Sequence, residues 1–118
     1  MNNTAGLETM DTVALENIVS NPNANKEILT SGAKHHSNYI RELVAVNPNT
    51  PKETLELLAY DTFSIVRIRV SANPSTATET LELLAKDSDV KVRQSVSENT
   101  RTLVTTLTLL AKDRFQFS

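Results

Sequence analysis

The dipeptide Asn-Pro occurs at Asn21-Pro22, Asn47-Pro48 and Asn73-Pro74, each start 26 residues after the last. A further 26 lands on Asn99, followed by Thr100. The string Leu-Leu-Ala ends at Ala59, Ala85 and Ala111, again 26 apart, and Val66-Arg67 and Val92-Arg93 keep the same spacing, with Ile40-Arg41 in register before them. Three markers on one period are the signature of a tandem-repeat architecture. Residues 47–72 and 73–98 agree at 15 of 26 positions. The boundaries that follow are one domain over 1–118: an N-terminal capping segment 1–20, repeats 21–46, 47–72 and 73–98, and a partial C-terminal repeat 99–118.

The content of each unit predicts two helices. Thr50-Pro51-Lys52-Glu53 reads as a helix start, with threonine able to cap, proline at the first helical position and glutamate closing a capping box. Thr76 to Glu79 repeats the pattern without proline. Leu55, Leu58 and Ala59 fall on one face of a helix at i, i+3 and i+4. A longer first helix is predicted near 51–60, 77–86 and 103–112, and a shorter second helix near 64–71. Ile40 and Val44, Val66 and Val70, and Val92 and Val96 are the core positions of the second helices, and Asn-Pro ends each one because the residue before proline is driven out of the α region. An N-terminal helix is predicted near 12–19. The leucine pairs Leu57-Leu58, Leu83-Leu84 and Leu109-Leu110 are expected to form the main stabilising ladder. Ser31-Gly32 stands at those positions in the first repeat, so either that helix ends early with Gly32 as its C-cap or the layer is underpacked. The fold class is all-α. Glycine occurs only twice and aromatics make up 4%, which disfavours a sheet protein rich in turns and aromatic strands.

The whole pattern NPxTPxETLxLLAxD followed by VRxxV resembles the leucine-rich repeat variant (LRV) family, and more broadly HEAT-like helical repeats, over about residues 11–118. The resemblance implies alternating longer and shorter (α or 3₁₀) helices wound into a right-handed superhelical solenoid. It also implies binding and scaffold roles in place of catalysis. HEAT-like repeats further imply a tie between the turn aspartate and the arginine after valine, here Asp61 with Arg67 and Asp87 with Arg93. His35 replaces the aspartate in the first copy, and the last copy keeps Asp113 without an arginine. The chain departs from the pattern at its first copy and at Thr100 and Leu103, where prolines are expected. It also lacks cysteine, so a role built on an iron–sulfur module has no support.

Composition narrows the function classes. The absence of cysteine excludes disulfides, thiolate metal sites and thiol catalysis, and fits a reducing, cytoplasmic setting. The N-terminus has neither a basic stretch nor an apolar core, so no secretory signal is expected. Net charge is −2, from 12 basic and 14 acidic residues, without the basic excess of a dedicated nucleic-acid binder. No phosphate-binding loop or nucleophile elbow is present. Glu53, Glu56, Glu79 and Glu82 recur with the repeat as surface and capping residues. His35-His36 is too few ligands for a metal and is expected in a solvated loop. The expectation is therefore no enzyme, no cofactor, no metal site and no membrane span.

What remains is a protein-interaction or scaffold module. The candidate partner-binding residues are Tyr60, Phe63, Ile65, Ile68 and Arg69, an apolar and arginine cluster where the middle repeat departs from its neighbours. Packing between repeats is an equal alternative for Phe63 and Ile65. Phe115 and Phe117 in the unfinished last repeat are a second candidate contact, for another protein or for self-association. The alternatives are a nucleic-acid-binding repeat using the column Arg41, Arg67 and Arg93, and an accessory subunit of a larger enzyme.

Overall fold

The structure is a computed structural model that describes residues 11–99. Seven α-helices and no strands occur among these residues: α1 Thr12–Ser20, α2 Lys26–Gly32, α3 Asn38–Val46, α4 Lys52–Leu58, α5 Ser64–Ala72, α6 Thr78–Leu84 and α7 Val90–Glu98. The starts of α3, α5 and α7 are 26 residues apart, as are those of α2, α4 and α6. The helix α1 keeps the register of the second helices, beginning 26 residues before α3. Odd-numbered helices pack on the next odd-numbered helix, from α1 through α3 and α5 to α7. Each even-numbered helix packs against the odd-numbered ones before and after it.

The order of lengths is the reverse of the expectation. The first helices of the repeats have seven residues and the second have nine. The first helices stop at the second leucine because their last turn tightens. Tyr60 N–H bonds the Leu57 carbonyl and Asp61 N–H bonds that of Leu58, both i to i−3, a common way to satisfy the free carbonyls of a helix end. The second helices run to the residue before asparagine. Asn73 is extended, with φ −77° and ψ 127°, as the residue before proline must be.

The predicted capping boxes do not form. The N-caps of α4 and α6 are Pro51 and Ala77, and neither start carries a side-chain capping bond. Thr50 Oγ1 instead donates to the Val44 carbonyl, and Thr76 Oγ1 to that of Val70, each at 2.6 Å and buried. The hydroxyl thus adds a second donor to a carbonyl at the end of the preceding helix, which also accepts from the asparagine N–H that follows it. Side-chain caps occur elsewhere, at Asp11, Asn25, Ser37 and Asp89.

The core is one continuous cluster that includes Leu15, Leu29, Ile40, Val44, Leu55, Leu58, Val66, Val70, Val92 and Val96. Every predicted second-helix core position is buried. The two described leucine pairs split: Leu58 and Leu84 are buried, whereas Leu57 is 50% and Leu83 39% exposed, and Leu109-Leu110 lies outside the described residues. The buried partner of Leu58 is Leu55, one turn earlier on the same face, and each such buried leucine contributes roughly 1.5–3 kcal/mol. Gly32 neither ends its helix early nor leaves a gap. Helix α2 matches α4 and α6 in length and its C-cap is Ala33. A Cβ on Gly32 would meet Val44 Cγ2 at 2.9 Å and Val19 Cγ1 at 3.4 Å. The neighbouring valines have closed the space that Leu58 fills one repeat later.

Asparagine does more than end helices. Asn47 Nδ2 donates to the carbonyls of Val19 and Asn21, and Asn73 Nδ2 to those of Ala45 and Asn47, at 2.7–2.9 Å. Their Oδ1 atoms accept from the N–H two residues on. Asn99 Nδ2 continues the series to the Ser71 carbonyl. Each asparagine therefore joins its own turn to the preceding repeat. Only a side chain with both donor and acceptor can do this, which explains why Asn99 is retained where the proline is not.

Candidate functional site

Two members of the arginine column, Arg41 and Arg67, are held inside the scaffold, and Arg93 is exposed. Arg41 Nε donates to Asp61 Oδ2 at 2.7 Å, and Arg67 Nε to Asp87 Oδ2 at 2.8 Å, with second bonds from Nη2 to Oδ1. These pairs span 20 residues and tie each arginine to the aspartate of the next repeat. The expected pairing of Asp61 with Arg67 and of Asp87 with Arg93 through their carboxylates is not what forms. Within a repeat the arginine reaches the backbone: Arg67 Nη1 donates to the carbonyls of Asp61 and Thr62, and Arg93 Nη1 to that of Asp87. One guanidinium thus gathers the turn of its own repeat and the carboxylate of the next. The fixed fork of donors on arginine suits that double role.

The aspartates are equally occupied. Asp61 Oδ1 also accepts from Phe63 N–H, and Asp87 Oδ1 from Asp89 N–H. Burial pushes the Asp87 carboxyl up, but hydrogen bonds from Arg67 and Asp89 N–H, with the charges of Arg67 and Arg93, outweigh it and hold the group below its ordinary value. The same geometry accounts for His35. The arginine position one repeat earlier is Leu15, which is buried, so no guanidinium arrives there to need a carboxylate. His35 keeps the local half of the aspartate's role, its Nδ1 accepting from Ser37 N–H at 3.0 Å. It is buried and its ring stacks on His36 at 4.3 Å; both histidines lie in a loop as expected and His36 is exposed, but His35 is not solvated. Among the described residues no group of three or more metal-ligating side chains comes together. No helix among them is long and apolar enough to cross a membrane.

The five residues singled out in the middle repeat divide. Ile65 and Ile68 are partly buried and pack against the core. Arg69 Nε donates to Glu42 Oε2 at 3.0 Å, a tie between α5 and α3. Tyr60 and Phe63 are the exposed members, at 71% and 48%. The Phe63 ring lies beside Arg41, whose Cζ is 5.7 Å from the ring centroid, within reach of a cation–π contact. Phe115 and Phe117 lie outside the described residues.

Tyr60 stands at the edge of an open groove of about 360 Å³ between the C-terminal ends of α2 and α4. Lys34, Leu57 and Thr62 line it with Tyr60, and the mostly buried Arg41–Asp61 pair lies at its base. Phe63 joins this group through Arg41. Leu57 is the residue that sequence reasoning missed, being taken for core beside Leu58. The signal was present: Leu55 and Leu58 define the inward face, and a residue two positions after Leu55 points away from it. Comparison of the chain with protein-family models, with curated proteins and with solved structures finds no match.

Proposed function

We propose that the chain is a non-enzymatic protein-interaction or scaffold module. In this proposal its helices wind as a right-handed superhelical repeat of the LRV or HEAT-like kind, in a cytoplasmic setting. The observation that carries the reading is the exposure of Leu57 and Tyr60 on one groove, with the half-exposed Phe63 ring beside the Arg41 that also lines it. Exposed aromatic and aliphatic side chains around a concavity are the common anchors of protein interfaces. The asparagines, aspartates and arginines that recur with the repeat are engaged in turns and inter-repeat ties, which leaves mainly surface glutamates from which to assemble a catalytic group. The nucleic-acid reading loses ground on the same geometry. The Arg41 and Arg67 side chains are only 14% and 16% exposed, and both are bonded to aspartates and carbonyls. A phosphate backbone needs arginines it can reach.

The test is affinity capture from the native host with the wild-type chain and with a Leu57→Ser, Tyr60→Ser variant. Both substituted positions are exposed, so the helical circular dichroism signal should be unchanged while the captured partner is lost. Unchanged capture by the variant removes the groove as the site. A mobility shift with plain duplex or single-stranded nucleic acid is expected to be negative. A salt-dependent shift would revive the arginine column.

A further inference from the structure

The outward stripe of the first helices carries a pattern that the scaffold does not require. Glu53, Glu56, Leu57 and Tyr60 are spaced i, i+3, i+4 and i+7 on and just beyond α4, and all four are exposed. Glu79, Glu82, Leu83 and Lys86 repeat the stripe one unit later, also exposed. Apolar and acidic columns therefore run side by side across neighbouring repeats. Glu53 and Glu79 sit in the first turns of their helices, where the macrodipole favours a carboxylate. Glu56 and Glu82 do not. Each lies in the C-terminal half of a seven-residue helix, where a negative charge faces the unfavourable end of the dipole. None of the four glutamates is in an ion pair among the described residues, where the pairs that form are Arg41–Asp61, Arg67–Asp87 and Arg69–Glu42.

We infer that the Leu57–Tyr60–Leu83 stripe docks a basic amphipathic segment of a partner protein, with the partner's apolar side chains on the leucines and its cations along Glu53, Glu56, Glu79 and Glu82. This rests on the protein-interaction reading and adds the chemistry of the partner. The apolar column is Leu57 and Leu83, the acidic columns are Glu53 with Glu79 and Glu56 with Glu82, and Lys86 takes the place of Tyr60 in the second unit. Carboxylates at the rim of an apolar contact steer a cationic partner and set its register, with the leucines supplying most of the contact. The first repeat marks where the site ends: its matching positions are Glu27, Thr30, Ser31 and Lys34, with serine for leucine and one carboxylate fewer.

The experiment uses the full chain and two synthetic helical probes, a leucine–lysine amphipathic peptide and its leucine–glutamate twin, followed by fluorescence anisotropy at low and high salt. The lysine probe should bind, weaken with salt and outcompete the glutamate probe by at least about tenfold, as each tenfold step is one decade of Kd. Glu56→Lys with Glu82→Lys should lower its affinity about tenfold or more. The control Glu16→Lys with Glu98→Lys, on the second helices and equal in net charge, should change it less than about threefold. Leu57→Ser with Leu83→Ser should abolish binding with the circular dichroism signal intact. Equal binding of the two probes, or equal loss in the two charge-reversed proteins, overturns the inference. If native capture depends on Leu57 and Tyr60 but not on Glu56 and Glu82, the interaction reading stands and the basic partner is wrong.

Discussion

The pairing of arginine with the aspartate of the next repeat makes a sharp energetic prediction. Asp87→Asn removes the charge but keeps an Oδ1 acceptor for Asp89 N–H, so it removes mainly the tie to Arg67, with the lesser attraction of Arg93. That tie is two charge-assisted bonds of 2.8 and 3.2 Å between side chains 16% and 10% exposed. Exposed pairs contribute about 0–1 kcal/mol, whereas removing one partner of a buried pair costs about 3–5 kcal/mol. The partial burial places Asp87→Asn between them, at about 1.5–3 kcal/mol. A double-mutant cycle with Arg67→Met should return a coupling of about 1–3 kcal/mol, the range found for residues in one bonded network. The cycle of Arg67→Met with Asp61→Asn should return no more than about 0.5 kcal/mol. Asp61 offers Arg67 its backbone carbonyl, which the substitution leaves in place, while its carboxylate belongs to Arg41. Urea unfolding at unchanged m reads both cycles. A larger coupling of Arg67 to Asp61 than to Asp87 would refute the inter-repeat assignment.

Three further outcomes follow from the same geometry. The Asp87 carboxyl is held below its ordinary value in the fold, so its contribution is complete above the unfolded value of about 3.9 and is lost as pH falls through the lower folded value. The stability gap between wild type and Asp87→Asn should therefore narrow progressively as pH falls below about 4 in acid titrations followed by urea unfolding, and a gap that does not narrow with falling pH contradicts the assignment. Asn73→Asp replaces a buried donor to two carbonyls with an acceptor. It should cost about 2–4 kcal/mol, since leaving buried groups unsatisfied costs about 1–3 kcal/mol each, and a thermal midpoint unchanged from wild type would remove the asparagine ladder as a support. Gly32→Ala gains about 1 kcal/mol of helix propensity but forces a Cβ to within 2.9 Å of Val44 Cγ2. Overpacking costs about 1–3 kcal/mol, so net destabilisation is expected, and a stabilised variant would mean that Val44 yields easily.

The groove and the ties differ in how far they could be read beforehand. Tyr60 and Phe63 were legible because they interrupt a period, and interruption is visible in one dimension. Ile65, Ile68 and Arg69 interrupt it as well, yet Ile65 and Ile68 pack against the core and Arg69 bonds Glu42. A residue that differs from its column can still be packed by neighbours that differ too. Leu57 was hidden for the opposite reason, because it repeats at Leu83 beside a true core leucine.

The amino-acid sequence by itself determined the all-α class, the 26-residue spacing of the helices, the valine and isoleucine core of the second helices and the points where proline ends them. All of these depend on local sterics and on periodicity along one chain. The tertiary structure decided which partner each polar side chain takes. Asp61 is six residues from Arg67 and twenty from Arg41, and sequence distance favours the nearer arginine. Stacking brings the farther guanidinium to the carboxylate and turns the nearer one to the backbone. Thr50 likewise donates to the end of the previous helix in place of capping the start of its own. The repeat period located these residues, and the packing of one repeat on the next assigned their partners.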